Sequence, residues 1–458
     1  MEGRDQPEGN LRESTKVRTQ SRVALPMPLA RVKEAAKSNG RTRFTSLLHH
    51  VNMEALEGAF RRLKRTASAG VDGETVASYQ QGLHEKLRDL CERVHAGRYR
   101  AQPVRRVYIP KSDGGQRPLG IPALEDKIVQ GAVAEVLSTI YEVDFLGFSY
   151  GFRPGRSPHW ALTALHTALM SQRVNWVLDA DIGRFFDSVD HEWLLRMLAH
   201  RIADARLLRL IRKWLKAGAL QSKQWMESTQ GTPQGAGISP LLANVFLHYV
   251  LDLWVHQWRN RNARGKVIIV RYADDFVMGF QYEADARRML VDLKERLAHF
   301  RLTLHEDKTR LIEFGRFPTL RREQRGERRP ETFAFLGFTL YCGKTRDGRF
   351  IVKPKTQSKR MARKLKELRE EARRRMHAPV PLQHRWLSSV LRGHDAYYGV
   401  QSNIRALSSF HHQVGRIWYR SLRRRSQRRL TWERFNELLE RFPLPKPRLT
   451  APRMALAA

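Results

Sequence analysis

The sequence predicts an α+β fold. Apolar runs of strand length alternate with helical patterns through most of the chain, one hairpin carries paired carboxylates, and the last hundred residues are almost wholly helical and basic. In chain order, apolar residues recur three and four apart over 53–65, 83–96, 124–141, 191–201 and 284–300, which predicts helices there. Strand-like runs interrupt them at 104–110, 176–182, 267–272, 276–280 and 333–341. From Lys359 onward, Met361, Leu365, Leu368 and Ala372 share one helical face while Arg and Lys fill the others. No internal repeat is present.

The chain has 458 residues, 41% of them hydrophobic, so it can bury sizeable cores in two or three domains. Its 83 Lys and Arg against 46 Asp and Glu leave a formal charge of +37, a surplus that calls for a polyanion partner. Nucleic acid is the expected one and a membrane surface the rival. No apolar run approaches the roughly 18 residues of a spanning helix, and the opening MEGRDQPEGN carries no secretory h-region. Two cysteines, Cys91 and Cys342, argue against a disulfide framework or a Cys-built zinc site. The surplus is uneven: residues 316–458 hold 35 basic and 11 acidic residues, against 48 and 35 in residues 1–315. The first 45 residues read as a flexible basic arm with a short helix near 29–36, and the Arg-rich stretch 316–330 reads as a loop.

The chemistry gathers on carboxylates. Residues 267–280 read as strand, short polar centre, strand, so Asp274 and Asp275 sit in a hairpin turn. Such turns favour Asn-Gly or Asp-Gly, and two adjacent anions are costly unless a divalent cation binds them. Another strand, 176–182, ends in Asp179 and Asp181. A third carboxylate beside the Asp-Asp turn builds an oxygen-rich site suited to Mg²⁺. Two Mg²⁺ about 3.5–4 Å apart activate a 3′-hydroxyl and stabilise a leaving pyrophosphate. Lys111 and Arg117 flank a Gly-Gly turn that folds two cations over a triphosphate. Arg153 and Arg156, on a Pro/Gly turn, suit template phosphates. Arg423, Arg424, Arg425, Arg428 and Arg429 follow Trp418 and Tyr419, an RNA-binding pattern if those aromatics stack on bases rather than pack in a core. Asp190 is expected to cap the helix at His191, and Ser239 to cap another with Pro240 in its first turn. Gly235 and Gly237 allow close backbone approach to a template base or sugar.

Tyr272-Ala-Asp-Asp275 resembles the signature box of reverse transcriptases, and the flanking order resembles the bacterial group II intron-encoded reverse transcriptase/maturase family over roughly residues 45–445. Ile109-Pro-Lys-Ser-Asp-Gly-Gly-Gln-Arg-Pro-Leu-Gly-Ile-Pro122 looks like the first core block and Ser149-Tyr-Gly-Phe-Arg-Pro-Gly-Arg-Ser157 the second. Asp181 to His191 resembles the third and Gly231-Thr-Pro-Gln-Gly-Ala-Gly-Ile-Ser-Pro240 the fourth. His305-Glu-Asp-Lys-Thr309 and Phe335-Leu-Gly-Phe338 resemble the sixth and seventh. Ala69-Gly-Val-Asp-Gly73 is similar to an N-terminal extension block, and Arg392-Gly-His-Asp-Ala-Tyr-Tyr-Gly399 to the domain X signature, whose aromatics are expected to pack.

The resemblance implies a right-hand polymerase with fingers and palm followed by a helical thumb, domain X. Its expected boundaries are 1–45 for the arm, 46–105 for the fingers extension, 106–345 for fingers and palm, 346–445 for the thumb and 446–458 for a tail. It implies Asp181, Asp274 and Asp275, with the Ile182 backbone carbonyl, as ligands of two Mg²⁺; Asp179, one strand repeat back on the same face, is expected as an outer carboxylate. Phe186 becomes the steric gate against a ribose 2′-hydroxyl. Lys111, Arg117, Gln234 and Lys308 contact the incoming dNTP, Lys308 as a proton donor to pyrophosphate. Template RNA, primer DNA, dNTPs and the group II intron RNA are the implied partners, for a monomer or homodimer that is cytoplasmic, ribonucleoprotein- or nucleoid-associated and free of membrane. The chain shows no Cys pair, His/Asp cluster or length for the HNH endonuclease of longer members, so it is expected to lack second-strand cleavage. A non-catalytic splicing cofactor, or a host-domesticated reverse transcriptase without an intron, is the alternative.

Overall fold

Helical and strand periodicities sort the chain into two compact units, seen in a computed structural model that describes residues 26–110, 115–221, 224–226, 230–231, 235–327, 330–425 and 430–451. One unit runs to Ala161 and again from Arg173 to Ile312; the other combines Leu162–Gln172 with the chain from Glu313 onward.

In the first unit, helix Met27–Ser38 buries Leu29, Val32 and Ala36 along one face. Arg201 closes its end by donating to the carbonyls of Ala36, Asn39 and Thr42. The short helix expected near 29–36 within the arm is present and runs longer, over Met27–Ser38; residues 1–25 lie outside the described residues. Helix Leu124–Asp144 is buried along most of its length. Asp72, from the Ala69–Gly73 block, accepts from the Leu124 N–H at 2.9 Å and so caps it from a distance.

Strand β1 (Val104–Pro110) pairs antiparallel with β2 (Gln116–Ile121). Strand β3 (Trp176–Asp181) lies elsewhere in the unit. Short strands β4 (Ala219–Gln221) and β5 (Gln224–Met226) extend the first hairpin into a sheet of order β2-β1-β4-β5. Strands β6 (Val267–Tyr272), β7 (Asp275–Phe280) and β8 (Arg310–Glu313) complete a second sheet of order β6-β7-β3-β8. Helix Glu283–His299 packs Ala286, Met289, Leu293 and Leu297 against β3 and β7.

The apolar run after residue 239 is not one α-helix. Helix Ser239–Leu247 passes into a π-helical turn, His248–Asp252, and then helix Leu253–Arg261. Ser239 is not the cap expected of it. Ile238 is already right-handed helical and accepts from the N–H groups of Leu241 and Leu242, which moves the helix start one residue upstream and buries Ser239. Asp190 does cap helix His191–Ala199, accepting from the Trp193 N–H.

In the second unit, β9 (Phe333–Phe335), β10 (Phe338–Lys344) and β11 (Phe350–Thr356) form an antiparallel sheet of order β11-β10-β9. The single run expected over 333–341 is two strands, because Leu336 and Gly337 both take positive φ and reverse the chain. The stretch 316–330 contains helix Arg316–Gln324 rather than only loop. Pro318 is tolerated in its first turn, Thr319 bonds the Gly315 carbonyl, and Arg321 and Arg322 pair with Glu313. Helices Ser358–Arg374, Val380–Tyr398, Ile404–Arg423 and Trp432–Arg441 share a core of Leu365, Leu368, Leu391, Phe410, Val414 and Trp418.

The domain X-like residues form a joint there. Phe338 stacks on Tyr397 and meets Tyr398 edge-on, and the Tyr397 hydroxyl donates to the Leu336 carbonyl. Residues beyond Pro445 return across this joint: Arg448 N–H bonds Asp395, and Thr450 and Ala451 N–H bond the Gly399 carbonyl. A Cβ at Gly399 would stand 2.3 Å from the Asp395 carbonyl oxygen, which explains the glycine. Among the described residues, no helix is long and apolar enough to cross a membrane.

Candidate active site

The β6-β7 hairpin places Tyr272 opposite Asp275, so Ala273 and Asp274 alone make the turn. On the other side of β7, Asp275 faces Asp181 at the end of β3. Three aspartates thus meet at one edge of one sheet, two on adjacent strands and one in the connecting turn. Asp179 lies two residues back on β3, opposite Val277. Ile182 bridges Leu304, and the Asp181 carbonyl accepts from the His305 N–H at 2.8 Å.

Cations answer these carboxylates. Lys308 Nζ donates to Asp181 Oδ2 at 2.7 Å, and Arg310 lies 3.6 Å from Asp179. Among the described residues, no three His, Cys, Asp or Glu side chains converge at metal-ligand spacing. The strand register brings the carboxylates together, while the Lys308 ammonium draws the Asp181 carboxylate onto itself. The donor set, all hard carboxylate oxygen in adjacent register, suits a divalent cation.

The turn itself is held from beneath by a residue that the sequence reading passed over. Arg271, on β6, is fully buried and spends all five N–H donors. Two go to Asp252, one to Asn244 Oδ1 at 3.1 Å, one to Ser149 Oγ at 2.7 Å and one to the Ala273 carbonyl at 2.9 Å. Asn244 Nδ2 in turn donates to the Gly151 carbonyl. Asp252 is the last residue of the π-helical turn, a device that re-aims one side chain within a helix. An arginine inside the apolar run Val-Ile-Ile-Val-Arg is the signal that was available, since a buried guanidinium requires partners.

Gly151 presses on the same turn. A Cβ there would lie 2.3 Å from the Ala273 nitrogen, and Ala273 has φ +58°, a left-handed value uncommon outside glycine. Phe152 also has positive φ and is 54% exposed, its ring 6.4 Å from that of Tyr272.

The remaining candidates scatter in role. Phe186 is half-buried, edge-on to the buried Phe185, and its carbonyl lies 3.0 Å from where a Cβ of Gly231 would stand. Gly235 makes its close approach to the Gly120 carbonyl of β2, and a Cβ on Gly237 would meet nothing within 4 Å. Arg117 lies in β2 opposite Ile109. Lys111, Gln234, Arg428 and Arg429 lie outside the described residues.

Arg153 is corrected from RNA contact to an internal strut. It is buried, paired with Glu142 at 3.0 Å, and donates to the carbonyls of Leu146 and Ser149. Arg156 is half-buried, donates to the Gly147 carbonyl and lies over the Tyr150 ring. Trp418 and Tyr419 are packed rather than offered to bases: Trp418 donates to Gln383, and Tyr419 stacks on Trp432. Arg423, Arg424 and Arg425 are exposed where helix Ile404–Arg423 ends.

Residues 109–340, half of the chain, match the family described as Reverse transcriptase (RNA-dependent DNA polymerase). The chain belongs to the reverse transcriptase family. Reverse transcriptases as a family use divalent metal ions, in keeping with the carboxylate edge. The chain is 38% identical over 244 residues to Protein YkfC of Escherichia coli (strain K12), covering 47% of this chain and 64% of that protein. It is 40% identical over 195 residues to Group II intron-encoded protein LtrA of Lactococcus lactis subsp. cremoris, covering 42% of this chain and 32% of LtrA. Nuclear intron maturase 1, mitochondrial, of Arabidopsis thaliana is 26% identical over 116 residues, 25% of this reverse transcriptase and 16% of the maturase. Less than two thirds of each relative's length is thus spanned.

Proposed function

We propose that the protein is an RNA-directed DNA polymerase that copies RNA into DNA, and that it binds its parent group II intron RNA to promote splicing and mobility. The observation that carries the first part is the register that sets Asp181 against Asp275, with Asp274 in the adjoining turn. The first unit then holds fingers and palm, with residues 46–105 as the fingers extension; the helices after residue 357 form the thumb.

Asp181, Asp274 and Asp275, with the Ile182 carbonyl, hold two Mg²⁺, which when bound supply activation of the primer 3′-hydroxyl and charge stabilisation of the leaving pyrophosphate. The protein's own contribution is positional. Arg271 and Gly151 fix the turn from two sides, so that Asp274 and Asp275 need little reorganisation. Lys308, paired with Asp181, would compete with a divalent cation for that carboxylate, and its ammonium would supply a proton or positive charge to the leaving pyrophosphate. Lys111, Arg117 and Gln234 bind the incoming dNTP, and the Phe186 ring blocks a 2′-hydroxyl.

Primer extension with purified protein tests this reading. Wild type is expected to extend a DNA primer on RNA with dNTPs and Mg²⁺, and Asp274→Ala to abolish extension while binding RNA normally. Phe186→Ala is expected to raise rNTP use relative to dNTP. Extension by Asp274→Ala at the wild-type rate would remove the carboxylate assignment.

The maturase reading is supported by the similarity to an intron-encoded protein and by the surplus of cations after residue 315. Charge reversal at Arg423, Arg424 and Arg425 should weaken intron RNA binding and flatten its salt dependence. Unchanged binding would move that surface elsewhere.

A further inference from the structure

Helix Ala205–Lys216 presents an uncompensated row of cations. Its sequence, ARLLRLIRKWLK, contains five basic residues and no acid. Leu207, Leu210, Ile211, Trp214 and Leu215 are buried, and Trp214 donates to the Tyr99 hydroxyl. Lys213 is spent on the carbonyls of Gly97 and Tyr99. That leaves Arg206, Arg209, Arg212 and Lys216 exposed, three or four residues apart. At about 1.5 Å and 100° per residue they climb about 15 Å of the axis on a stripe roughly a third of the circumference wide.

Like charges at this spacing oppose helix formation, and two other exposed helices of this protein relieve it in part internally. Arg287 pairs with Glu283, and Arg363 with Glu367, each one turn away. On helix Ala205–Lys216 no ion pair to the four cations is present among the described residues. Beside the row lies a groove of about 540 Å³ whose lining includes Leu195, Ala199 and Leu208, the cations Arg196, Arg209 and Arg212, and one carboxylate, Glu192, which lies 3.8 Å from Arg196.

We infer that this helix face is a docking surface for the phosphate backbone of double-helical RNA. A stripe of fixed cations is complementary to a row of phosphates. The choice of duplex over single strand follows from what the row lacks. Trp214, the helix's one aromatic, is buried, so no exposed ring stands ready to stack on unpaired bases. A duplex hides its bases and offers the backbone. The inference extends the proposed RNA binding but does not depend on polymerisation.

The test compares wild type with Arg206→Gln/Arg209→Gln/Arg212→Gln and with the corresponding triple Glu variant. Each is titrated with a 20-base-pair RNA hairpin and with oligo(U), over a range of KCl. Because all three side chains are exposed and their mutual repulsion is relieved in the Gln variant, its thermal stability should equal or slightly exceed that of wild type. The Gln variant should bind the hairpin about tenfold or more weakly, with the slope of log affinity against log salt reduced by about 2–3. Oligo(U) binding and primer extension should stay at wild-type levels. Equal hairpin affinity and slope in wild type and both variants would overturn the inference, as would an equal loss for hairpin and oligo(U). Absence of extension by wild type would strike the polymerase reading alone.

Discussion

Arg271 Nη2 and Asp252 Oδ2 stand 2.5 Å apart with neither side chain exposed. The pair joins a π-helical turn to the strand that ends in the acidic hairpin, and the same guanidinium reaches past it to the Ala273 carbonyl. A buried ion pair is weak evidence for stability, because desolvation offsets the Coulomb gain. Its value here is geometric.

Arg271→Met leaves Asp252 buried without its partner and should destabilise the fold by about 3–5 kcal/mol. Arg271→Met/Asp252→Leu should recover a measurable part of that loss in urea unfolding. Primer extension should remain defective in the double variant, since the Ala273 carbonyl still lacks its donor. Recovery of both stability and activity would mean that the pair does not position the turn.

Gly151→Ala places a methyl group where the Ala273 nitrogen already stands. The turn must move, and small displacements at a reacting centre are costly; kcat should fall about tenfold to a hundredfold. The primer–template KM should change little. Single-turnover extension beside a thermal melt separates this from unfolding.

Lys308→Gln removes the cation that competes for Asp181. Lys308 is 57% exposed, so the pair is worth about 1 kcal/mol at most. Half-saturating Mg²⁺ should therefore drop by up to about fivefold, while the maximal rate falls with the loss of the ammonium. Initial rates across a Mg²⁺ series read both. A variant with wild-type values for each would exclude Lys308 from the site.

His248 titrates far from its usual range. Burial holds its pKa down at about 4, and its Nδ1 has no partner among the described residues. The folded imidazole is thus neutral at pH 5, whereas the unfolded one is mostly charged. Stability attributable to this residue is complete above the unfolded pKa of about 6.5 and is lost as pH falls toward 4, by about 2 kcal/mol between pH 7 and 5. His248→Phe should show a shallower acid limb in urea unfolding at those two pH values.

Much of this was legible in the sequence, for local reasons. The edges of β6 and β7 follow from alternation and a short turn, whereas the facing of Asp181 and Asp275 joins distant strands and was expected only through the family resemblance. Asp190 caps as its neighbours predict. Helix 316–324 was hidden because its stabilising contacts to Glu313 and Gly315 lie outside the helix itself. Arg153 read as a phosphate contact because an arginine on a Pro/Gly turn carries no local mark of burial; Glu142, its partner, sits on a different element. Arg271 was missed for the same cause, as its partners Ser149, Asn244 and Asp252 come from three separate places in the chain.

The turn His248–Asp252 has a consequence for how this gene can vary. A π-helical turn holds one residue more than its α-helical counterpart, so chain length within it is itself a constraint. Removing a single codon there would turn the π turn into an ordinary α turn and erase the local bulge that aims Asp252 at Arg271, while the flanking helices keep nearly the same phase. In-frame deletions should be purged from this stretch even where conservative replacements of its apolar residues survive, so that the spacing between residues 244 and 252 is inherited as strictly as the aspartates it supports.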